Sequence, residues 1–594
     1  MQKKSGQEIQ VVDLIGKKWM CNQEVAGLFS TEFNEYCKSV VEKGECEFYN
    51  NVKNKKKELS MEAKLALREL KLKEPLHNEE LKTFCHERRL CSYETALLLA
   101  KNAQVLIGDY YYLFNPFVSQ TILQKMELEM QNIILILDEG HNLPGRVADM
   151  LSNVLTSTML KNGIYEAKKF GYGGVIGWLQ NLNRIINELA DFPASASVHE
   201  KEKKVSMGDF IEAVKKVVNY EQLLEELELA ADEVRQKQRK SYLGGIAAFL
   251  GSWKGSDEGF VRYIAIRNSR YGEIVNLTYA CLDPSVATKD IFQQLHAGVV
   301  MSGTLKPTFM YKDVLGIGER AMEKEYVSPF PPENKLSIII PETSTKYSLR
   351  NELMFKKIGE KCAELCRLIP GNVALFFPSY DLRDKVGSFI TSFSSSNATN
   401  TSNSTSTSAS YSDFTSSASF PSAVNSTPIT LSAFSNSSTG TLPLFKKFLW
   451  EKAEMSKEEK EQLLNQFRAE KDRGAVLLGV AGANFAEGID LPGDLLNGVV
   501  VVGLPLARPD LITREVINYY DRKFGKGWSY GYLYPAMNKC LQSAGRCIRS
   551  ETDRGVIVYL DERFAWEMYY GCFPRERLVV SKDYGKLLKE FFNK

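Results

Sequence analysis

The sequence lacks any apolar run long enough to cross a membrane, and its longest apolar stretches have the length of single strands. It also lacks an apolar core after Met1, so the start of the chain does not resemble a secretory signal. The formal net charge is only +2, which excludes a basic field over the whole protein. We therefore expect a cytoplasmic protein, nuclear if the source is eukaryotic, with no membrane contact and with any nucleic-acid surface confined to a local stripe.

The chain also lacks the phosphate-binding motif G-x-x-x-x-G-K-[ST]. Gly16-Lys17 does not complete it, because Lys18 stands where the hydroxyl residue is needed and Val11 where the first glycine is needed. Without this motif the chain has no glycine loop of this kind, whose backbone N–H groups and lysine would hold the β- and γ-phosphates of a nucleotide.

The chain does contain an apolar strand that ends in acids. Residues 133–137, Ile-Ile-Leu-Ile-Leu, have the pattern of a buried parallel strand, and Asp138-Glu139-Gly140-His141 follows at once. Open α/β sheets bind ligands at the carboxyl ends of such strands. In a nucleotide motor, Asp138 would hold Mg²⁺, Glu139 would polarise the attacking water, and His141 would couple the site to nucleic acid. The plainer alternative is a strand that ends in an acidic turn.

Three further motifs follow in order. They are Ser302-Gly303-Thr304 after an apolar strand, Glu487-Gly488-Ile489-Asp490, and the segment that contains Gln542, Arg546 and Arg549. Arg546 and Arg549 are three residues apart, so we expect them on one helix face, where both guanidinium groups could reach the same phosphates.

These four motifs resemble motifs II, III, V and VI of superfamily 2 helicases in kind, order and spacing. More narrowly, the chain resembles the xeroderma pigmentosum group D (XPD) branch, which includes the damage-inducible G helicases, because phrases such as Met301-Ser302-Gly303-Thr304-Leu305 have close equivalents there. The resemblance implies an ATP-dependent DNA helicase that uses Mg²⁺, moves 5′ to 3′ on single strands, unwinds forked duplexes and serves DNA repair.

The resemblance also implies roles for the motif residues. Gln542, Arg546 and Arg549 would sense and stabilise the γ-phosphate. The residues expected to contact the nucleotide and link its state to domain closure are Ser302, Gly303, Thr304, Glu487, Gly488 and Asp490. In the family the glycine loop lies upstream of the point where this sequence begins, so we expect an N-terminally incomplete, otherwise monomeric motor. A wrong start codon, a split gene that supplies a separate N-terminal P-loop polypeptide, and a decayed paralogue are the alternatives. The competing hypothesis is a truncated or degenerate relative that serves as a non-hydrolysing DNA-binding scaffold.

Cysteines precede the acidic motif at intervals that fit no compact zinc knuckle. Four thiolates gathered from a long loop can hold a cubane iron–sulfur cluster. In the XPD branch four cysteines ligate a 4Fe-4S cluster, and the resemblance assigns this role to Cys21, Cys37, Cys46 and Cys91. Cys85 is an alternative fourth ligand, but the residues around Cys91 match the family better, although Ser92 replaces its usual proline. Zinc or plain buried thiols remain the alternatives for this set. The other cysteines are expected to pack in apolar cores.

The predicted fold is α/β, with two RecA-like doubly wound parallel-sheet motor domains, the first incomplete, and two insertions. The first motor domain takes residues 1–20, 96–150 and 271–330, the cluster domain 21–95, the helical Arch domain 151–270, and the second motor domain 331–594. Residues 392–442 are almost wholly Ser, Thr, Asn and Ala, a composition typical of a disordered insertion.

DNA contacts are assigned by resemblance to one residue. Tyr93 matches a family tyrosine beside the cluster that touches the translocating strand, and aromatic faces can stack on bases without sequence preference. For the nearby Tyr110, Tyr111 and Tyr112, packing in the core is an equally good interpretation. Leu97 stands where many relatives have an arginine.

Overall fold

The computed structural model describes residues 9–25, 30–54, 56–73, 76–193, 195–196, 201–238, 240–269, 272–396, 446–486, 495–506, 509–574 and 578–593. By its internal contacts the chain forms two units. The first comprises Met1–Glu325 and Arg508–Tyr532, and the second comprises Tyr326–Ala507 and Leu533–Lys594. Within the described ranges, no helix is both long and apolar enough to cross a membrane.

The first unit contains two separate pairs of short parallel strands. β1 (Val11–Leu14) pairs with β2 (Val105–Gly108), and β3 (Ile134–Leu137) pairs with β8 (Ala297–Val300). All four strands lie within the ranges predicted for the first motor domain. The neighbouring helices are α6 (Tyr111–Phe114), α7 (Pro116–Met126), α8 (Leu143–Leu151), α14 (Ser285–Gln294) and α15 (Thr308–Val314).

The two faces of the β3–β8 pair differ sharply in burial. On one face Leu137 and Val300 pack with Phe114 and Leu143. Successive side chains alternate between faces, so the residues between them point the other way. That other face, which we call the open β3–β8 face, exposes 64% of Ile134, 64% of Ile136, 49% of Val299 and 46% of Met301.

The cysteine-bearing segment between β1 and β2 is helical. Its helices are α1 (Ser30–Glu42), α2 (Glu47–Asn50), α3 (Met61–Leu72), α4 (Asn78–Glu87) and α5 (Ser92–Ala100). Helix α4 begins with a capping box, in which His77 accepts a hydrogen bond from the helix and the Glu80 carboxylate accepts from the N–H of His77. Phe84, Leu90 and Tyr93 belong to the buried core of this segment.

The region between α8 and α14 combines five helices with an antiparallel sheet. The helices are α9 (Ser157–Phe170), α10 (Gly173–Leu189), α11 (Met207–Lys215), α12 (Tyr220–Lys237) and α13 (Tyr242–Trp253). The strands are β4 (Asn153–Thr156), β5 (Glu202–Lys204), β6 (Phe260–Ser269) and β7 (Gly272–Cys281), in the order β4-β7-β6-β5.

Sequence analysis found the helices of this region but missed the sheet, since the apolar spacing of residues 151–270 had suggested a helical domain alone. The charged amphipathic residues 207–237 form two helices in place of one. Helix α11 ends at Lys215, and Asn219 caps α12 by accepting hydrogen bonds from the N–H groups of Glu221 and Gln222. Asparagine is among the strongest N-cap residues, which explains the break.

The second unit is built on one seven-stranded sheet in which every pairing is parallel. Its strands are β9 (Lys335–Ile340), β10 (Val373–Phe377), β11 (Lys447–Trp450), β12 (Ala475–Val480), β13 (Gly498–Val501), β14 (Gly555–Leu560) and β15 (Leu578–Val580), in the order β11-β12-β10-β13-β14-β9-β15. Its helices are α16 (Glu352–Leu368), α17 (Tyr380–Ser396), α18 (Lys457–Ala469), α20 (Tyr534–Ala544), α21 (Glu567–Tyr570) and α22 (Tyr584–Phe592). The predicted α/β architecture with parallel sheets is confirmed.

Two helices do not follow the domain boundaries that the sequence predicted. Helix α17 continues to Ser396, past the predicted start of the polar insertion at residue 392, and residues 397–442 of that insertion lie outside the described residues. Helix α19 (Leu511–Phe524) had been included in the second motor domain, but it packs within the first unit. There Tyr519 and Lys523 both donate hydrogen bonds to the buried carboxylate of Asp283.

Candidate functional site

Strands β3 and β8 bring the first two motifs together. The strands are parallel and paired from Ile134 with Ala297 to Leu137 with Val300, so the residues after them leave the same edge. Asp138 follows β3, and its carboxylate accepts a hydrogen bond from the N–H of Glu139 at 2.9 Å. The hydroxyl of Tyr110 donates to the backbone carbonyl of Asp138. Both predicted acids therefore lie at the carboxyl end of the pair, as the sequence had predicted.

The turn after Asp138 depends on a close backbone contact. Glu139 has φ 48° and ψ 39°, a left-handed conformation that is uncommon outside glycine. Gly140 then approaches β8, donating its N–H to the carbonyl of Met301 at 2.9 Å. A Cβ at this position would lie 2.4 Å from Cγ1 of Val300, so only glycine fits without displacement. Sequence analysis had assigned Gly140 no function, and only the strand pairing reveals its role.

Ser302 joins Glu139 and His141 across the two strands. Its Oγ lies 3.1 Å from Oε2 of Glu139 and 2.6 Å from Nδ1 of His141, and the same His141 nitrogen lies 3.2 Å from Oε2 of Glu139. The His141 side chain is 8% exposed, whereas that of Glu139 is 62% exposed. A buried imidazole and a hydroxyl thus hold a carboxylate whose other side faces solvent. Such a carboxylate can orient a water molecule and accept its proton.

The rest of the second motif supports Ser302. The N–H of Thr304 donates to Oγ of Ser302 at 3.1 Å, and the Thr304 hydroxyl lies 3.5 Å from the same atom. Gly303 has open space where a Cβ would lie, so its size is not demanded by packing. The structure therefore brings Asp138, Glu139, His141, Ser302 and Thr304 into one group.

In the second unit, the predicted helical placement of the two arginines is wrong. Helix α20 ends at Ala544, so Arg546 and Arg549 follow the helix instead of sharing a face of it. Gly545, a poor helix former, stands at its end. The Asp553 carboxylate then accepts hydrogen bonds from the N–H groups of Arg549 at 2.7 Å and of Ser550 at 2.9 Å, which fixes a turn there.

The arginines remain close to another predicted motif. Nε of Arg546 donates to the carbonyl of Ala486 at 2.9 Å. Ala486 immediately precedes Glu487, Gly488 and Asp490, which lie outside the described residues. Gln542 lies in α20 and is buried. The predicted roles of these six residues stay predictions.

The four predicted cluster ligands line one cavity of about 220 Å³ in the first unit. Cys37 lies in α1, Cys46 and Cys91 are the residues that precede α2 and α5, and Cys21 follows the turn after Gly16. Cys85, the alternative ligand, is fully buried in the apolar core instead. Within the described residues, no three His, Cys, Asp or Glu side chains are grouped closely enough to hold a single metal ion.

The thiols of this cavity are costly to ionise without a cation. Burial raises the pKa of Cys21 and Cys46, and it raises the pKa of Cys91 to about 12, with the neighbouring thiols adding to the effect. Metal centres bind thiolates and displace these protons. Four thiols around one cavity therefore fit a group that contains several metal ions with an affinity for thiolate, such as an iron–sulfur cluster.

Tyr93 is too buried to offer a stacking surface, whereas Tyr111 of the triplet is 45% exposed. Tyr93 is 6% exposed, and Nζ of Lys17 lies 5.5 Å from the centre of its ring. Its DNA contact stays a prediction. Of the triplet, Tyr110 contacts the acidic motif, and Tyr112 donates to the carbonyl of Ile15 at 2.7 Å. Both bonds agree with the packing interpretation.

Two protein-family models match separate parts of the chain. The family model DEAD_2 matches residues 1–160, and the model of a helicase C-terminal domain matches residues 362–577. The chain is 21% identical to the general transcription and DNA repair factor IIH helicase subunit XPD of Dictyostelium discoideum, over 87% of this chain and 68% of that protein. It is 23% identical to the ATP-dependent DNA helicase CHL1 of Coccidioides immitis, over 98% of this chain and 69% of that protein.

The chain is a distant homologue of the XPD and CHL1 helicases. Against the XPD/RAD3 subunit of Saccharomyces cerevisiae the identity is 20%, over 82% of this chain and 65% of the relative. The homologue thus spans about two thirds of the length of these relatives.

Solved structures agree with the fold of this XPD homologue. A structure titled XPD_Helicase matches with a TM-score of 0.60 and 20% identity, over 97% of this chain and 87% of that one. The structure of S. tokodaii Xpd4 matches with a TM-score of 0.53 and 14% identity, over 88% of this chain and 94% of that one. At these identities the likeness shows the fold.

Proposed function

We propose that this protein is an ATP-dependent DNA helicase of the XPD type, which moves 5′ to 3′ on single-stranded DNA and unwinds forked duplexes in DNA repair. The observation that carries the proposal is the contact of Ser302 with both Glu139 and His141 at the carboxyl ends of two paired parallel strands. An acidic turn with no function would not need a buried histidine and a serine from a distant strand to hold its carboxylate.

Within this proposal each group has a defined task. Asp138 would hold the Mg²⁺ that accompanies ATP and neutralises its phosphates. Glu139 orients the attacking water and takes its proton, while Ser302 and His141 fix the Glu139 carboxylate and can pass a change in its position to the rest of the unit. We assign γ-phosphate sensing to Gln542, Arg546 and Arg549, and the linkage of nucleotide state to motion to Glu487, Gly488 and Asp490.

The same proposal includes a 4Fe-4S cluster held by Cys21, Cys37, Cys46 and Cys91. Its support is the shared cavity, the location of Cys85 elsewhere, and the burial that disfavours free thiolates there. When bound, the cluster would cross-link four segments of the chain and provide a redox-active centre. Tyr93 also lines the cavity and would link it to the DNA strand.

The proposal further includes a strand–P-loop–helix segment as a partner of the first unit, fused or as a separate polypeptide. The open β3–β8 face supports it, because parallel strands are normally covered by helices on both faces and paired at their edges. Such a segment would bring the glycine loop to the edge where Asp138 and Glu139 lie. The alternative scaffold function makes no use of this face for catalysis.

The test is DNA-stimulated ATP hydrolysis with and without a strand–P-loop–helix segment taken from an XPD relative. We expect negligible turnover by the chain alone, since nothing positions the phosphates for Glu139, and turnover once the segment is added. Glu139→Gln should remove the restored activity, whereas Glu129→Gln, in an exposed turn before β3, should leave it unchanged. Robust ATP turnover by the chain alone would contradict the proposal that a partner segment is needed. DNA binding without turnover in the complemented protein would favour the scaffold.

A further inference from the structure

A buried carboxylate lies beside the cysteine cavity with two lysines bound to it. Glu94, in α5, is 4% exposed. Its Oε2 accepts from Nζ of Lys53 at 2.6 Å, and its Oε1 accepts from Nζ of Lys125 at 2.9 Å. We call these three residues the Glu94 triad. Glu94 and Lys125 both line the cavity that the four cysteines share.

The triad joins the segments that carry two of the cysteines. Glu94 lies one helical turn after Cys91, which precedes α5, and Lys53 follows the short helix α2 that begins after Cys46. Lys125 comes from a third element, helix α7. The N–H of Cys91 also donates to the carbonyl of Phe48 at 2.9 Å, so backbone and side chains connect the same two segments.

The other cysteine segments are joined by neutral hydrogen bonds. Asn22, next to Cys21, donates to the carbonyl of Leu90 at 3.1 Å and to the hydroxyl of Ser92 at 2.8 Å. Gln23 donates to Sγ of Cys46 at 3.3 Å and accepts from the hydroxyl of Tyr36, which lies in the same helix as Cys37, at 2.7 Å. The Glu94 triad is thus the buried charged member of a set of contacts that holds all four cysteine segments around one cavity, and the exposed Arg89–Glu47 pair also belongs to that set.

The charge of the triad has consequences for anything bound in the cavity. Lys53 and Lys125 both donate to the buried carboxylate of Glu94, so its negative charge is paired with two positive charges. Two cations and one anion give the triad a net positive charge, and Lys17, Lys38 and Glu42, which line the cavity, add a further net positive charge. In a partly buried site, such a charge is screened less than it would be in water.

We propose that the Glu94 triad is a positioning device for the four-thiol cavity: its ion pairs hold the Cys46 and Cys91 segments together, and its net positive charge favours the reduced, more negative state of the cluster. The structural half of this proposal depends only on the contacts around the cavity. Its redox half depends on the cluster that belongs to the proposed function. Glu94 touches no reacting atom in this proposal and acts through the cysteines that it positions.

The experiment uses the full chain purified without oxygen. Iron and sulfide content of the parent and of Cys91→Ser tests the cluster itself. Redox titration of the visible absorbance then compares Glu94→Gln, Lys53→Met, the double variant of both, and Lys53→Arg. Hydrogen exchange of residues 46–53 and 91–100 in iron-free protein measures how firmly the segments are held. The matched control is Glu47→Gln, which breaks the exposed Arg89–Glu47 pair between the same two segments.

Glu94→Gln removes a negative charge and should raise the midpoint potential, while Lys53→Met should lower it. The double variant restores the net charge, so its potential should return toward the parent value, yet its exchange should stay fast because the ion pair is lost. Removing one partner of a buried ion pair is strongly destabilising, so we expect exchange in these segments to accelerate at least about tenfold. Lys53→Arg and Glu47→Gln should resemble the parent in both measurements.

Each outcome decides one part of the inference. Parental potential and exchange in Glu94→Gln would overturn the triad. Faster exchange with an unchanged potential would leave it a structural device only and overturn its redox half. Parent protein without iron would overturn the proposed cluster, and the exchange measurements would still test the structural half. If Glu94→Gln fails to fold, Lys125→Met, which removes the more exposed lysine, tests the same ion pairs and should lower the midpoint potential while it accelerates exchange.

Discussion

The parallel strands of the two units differ greatly in how far they are buried. In the second unit, β10, β12, β13 and β14 are buried at every residue and belong to one seven-stranded sheet. In the first unit, β3 and β8 form a separate pair with one covered face and one open face. Parallel strands are normally buried on both faces, because their connections place helices there. The second unit follows this rule within its described residues, and the first unit does not.

The covered and open faces of the β3–β8 pair differ in what they contribute to the acidic motif. The covered face of β3 and β8 fixes the acidic motif, because Gly140 and Ser302 reach across the pair to hold the turn. The open face is the surface on which we propose that the partner segment binds.

The largest expected contrast is in stability, between two isoleucines in parallel strands. Ile338 in β9 is fully buried, whereas Ile136 in β3 is 64% exposed. Ile338→Ala should lower the free energy of unfolding of the second unit by about 2–5 kcal/mol, since it leaves a cavity in the core. Ile136→Ala should change the stability of the first unit by less than about 0.5 kcal/mol. Urea unfolding with each unit followed by hydrogen exchange measures both. Equal losses would mean that the open face is covered in solution.

The next contrast concerns binding at the open face. Ile136→Lys places a charge on the surface that we propose to be covered by the strand–P-loop–helix segment. Burying that unpaired charge should weaken binding of the segment about 100-fold, at 1.4 kcal/mol for each factor of ten. Leu229→Lys, at an exposed leucine of α12 that is 65% exposed, is the matched control and should bind like the parent. Fluorescence titration of a labelled segment measures both, and equal affinities would place the partner elsewhere.

Sequence reasoning predicted the buried strands well because burial on both faces leaves a plain signal. Residues 373–377, 475–478, 499–502 and 556–559 are continuous apolar runs in the sequence, and each falls within or overlaps a strand. Strand β9, Lys-Leu-Ser-Ile-Ile-Ile, carries a similar signal and could have been found. Strands β11 and β15 are too short for their sequences to show a clear strand pattern.

For the candidate site, sequence reasoning named residues that the structure brings together, and it predicted their geometry only in part. Asp138, Glu139, His141 and Ser302 were named from their positions after strands, and pairing of those strands brings them together. The helical placement of Arg546 and Arg549 was wrong, since spacing says nothing about where a helix ends and Asp553 fixes a turn there. The Glu94 triad was missed, because its three members are far apart in sequence and carry no motif.

The smallest contrast tests how tightly the covered face is packed, with two glycines of the first unit. A methyl group at Gly140 would lie 2.4 Å from Val300, whereas at Gly145, in α8, nothing lies within 4 Å. Gly140→Ala should therefore lower the free energy of unfolding by about 1–2 kcal/mol through overpacking. Gly145→Ala should raise it by about 0.5–1 kcal/mol, because alanine is the better helix residue.

Opposite signs for the two glycines, measured by thermal unfolding of the first unit, would show that the β3–β8 pair is closely packed on its covered face. The displacement caused by Gly140→Ala should also reach Ser302, since the Gly140 N–H contacts the residue before it. ATP turnover of the complemented protein should then fall for Gly140→Ala and stay at the parental level for Gly145→Ala. A stabilising Gly140→Ala would mean that Val300 moves aside freely, and that the covered face fixes the acidic turn no better than the open one.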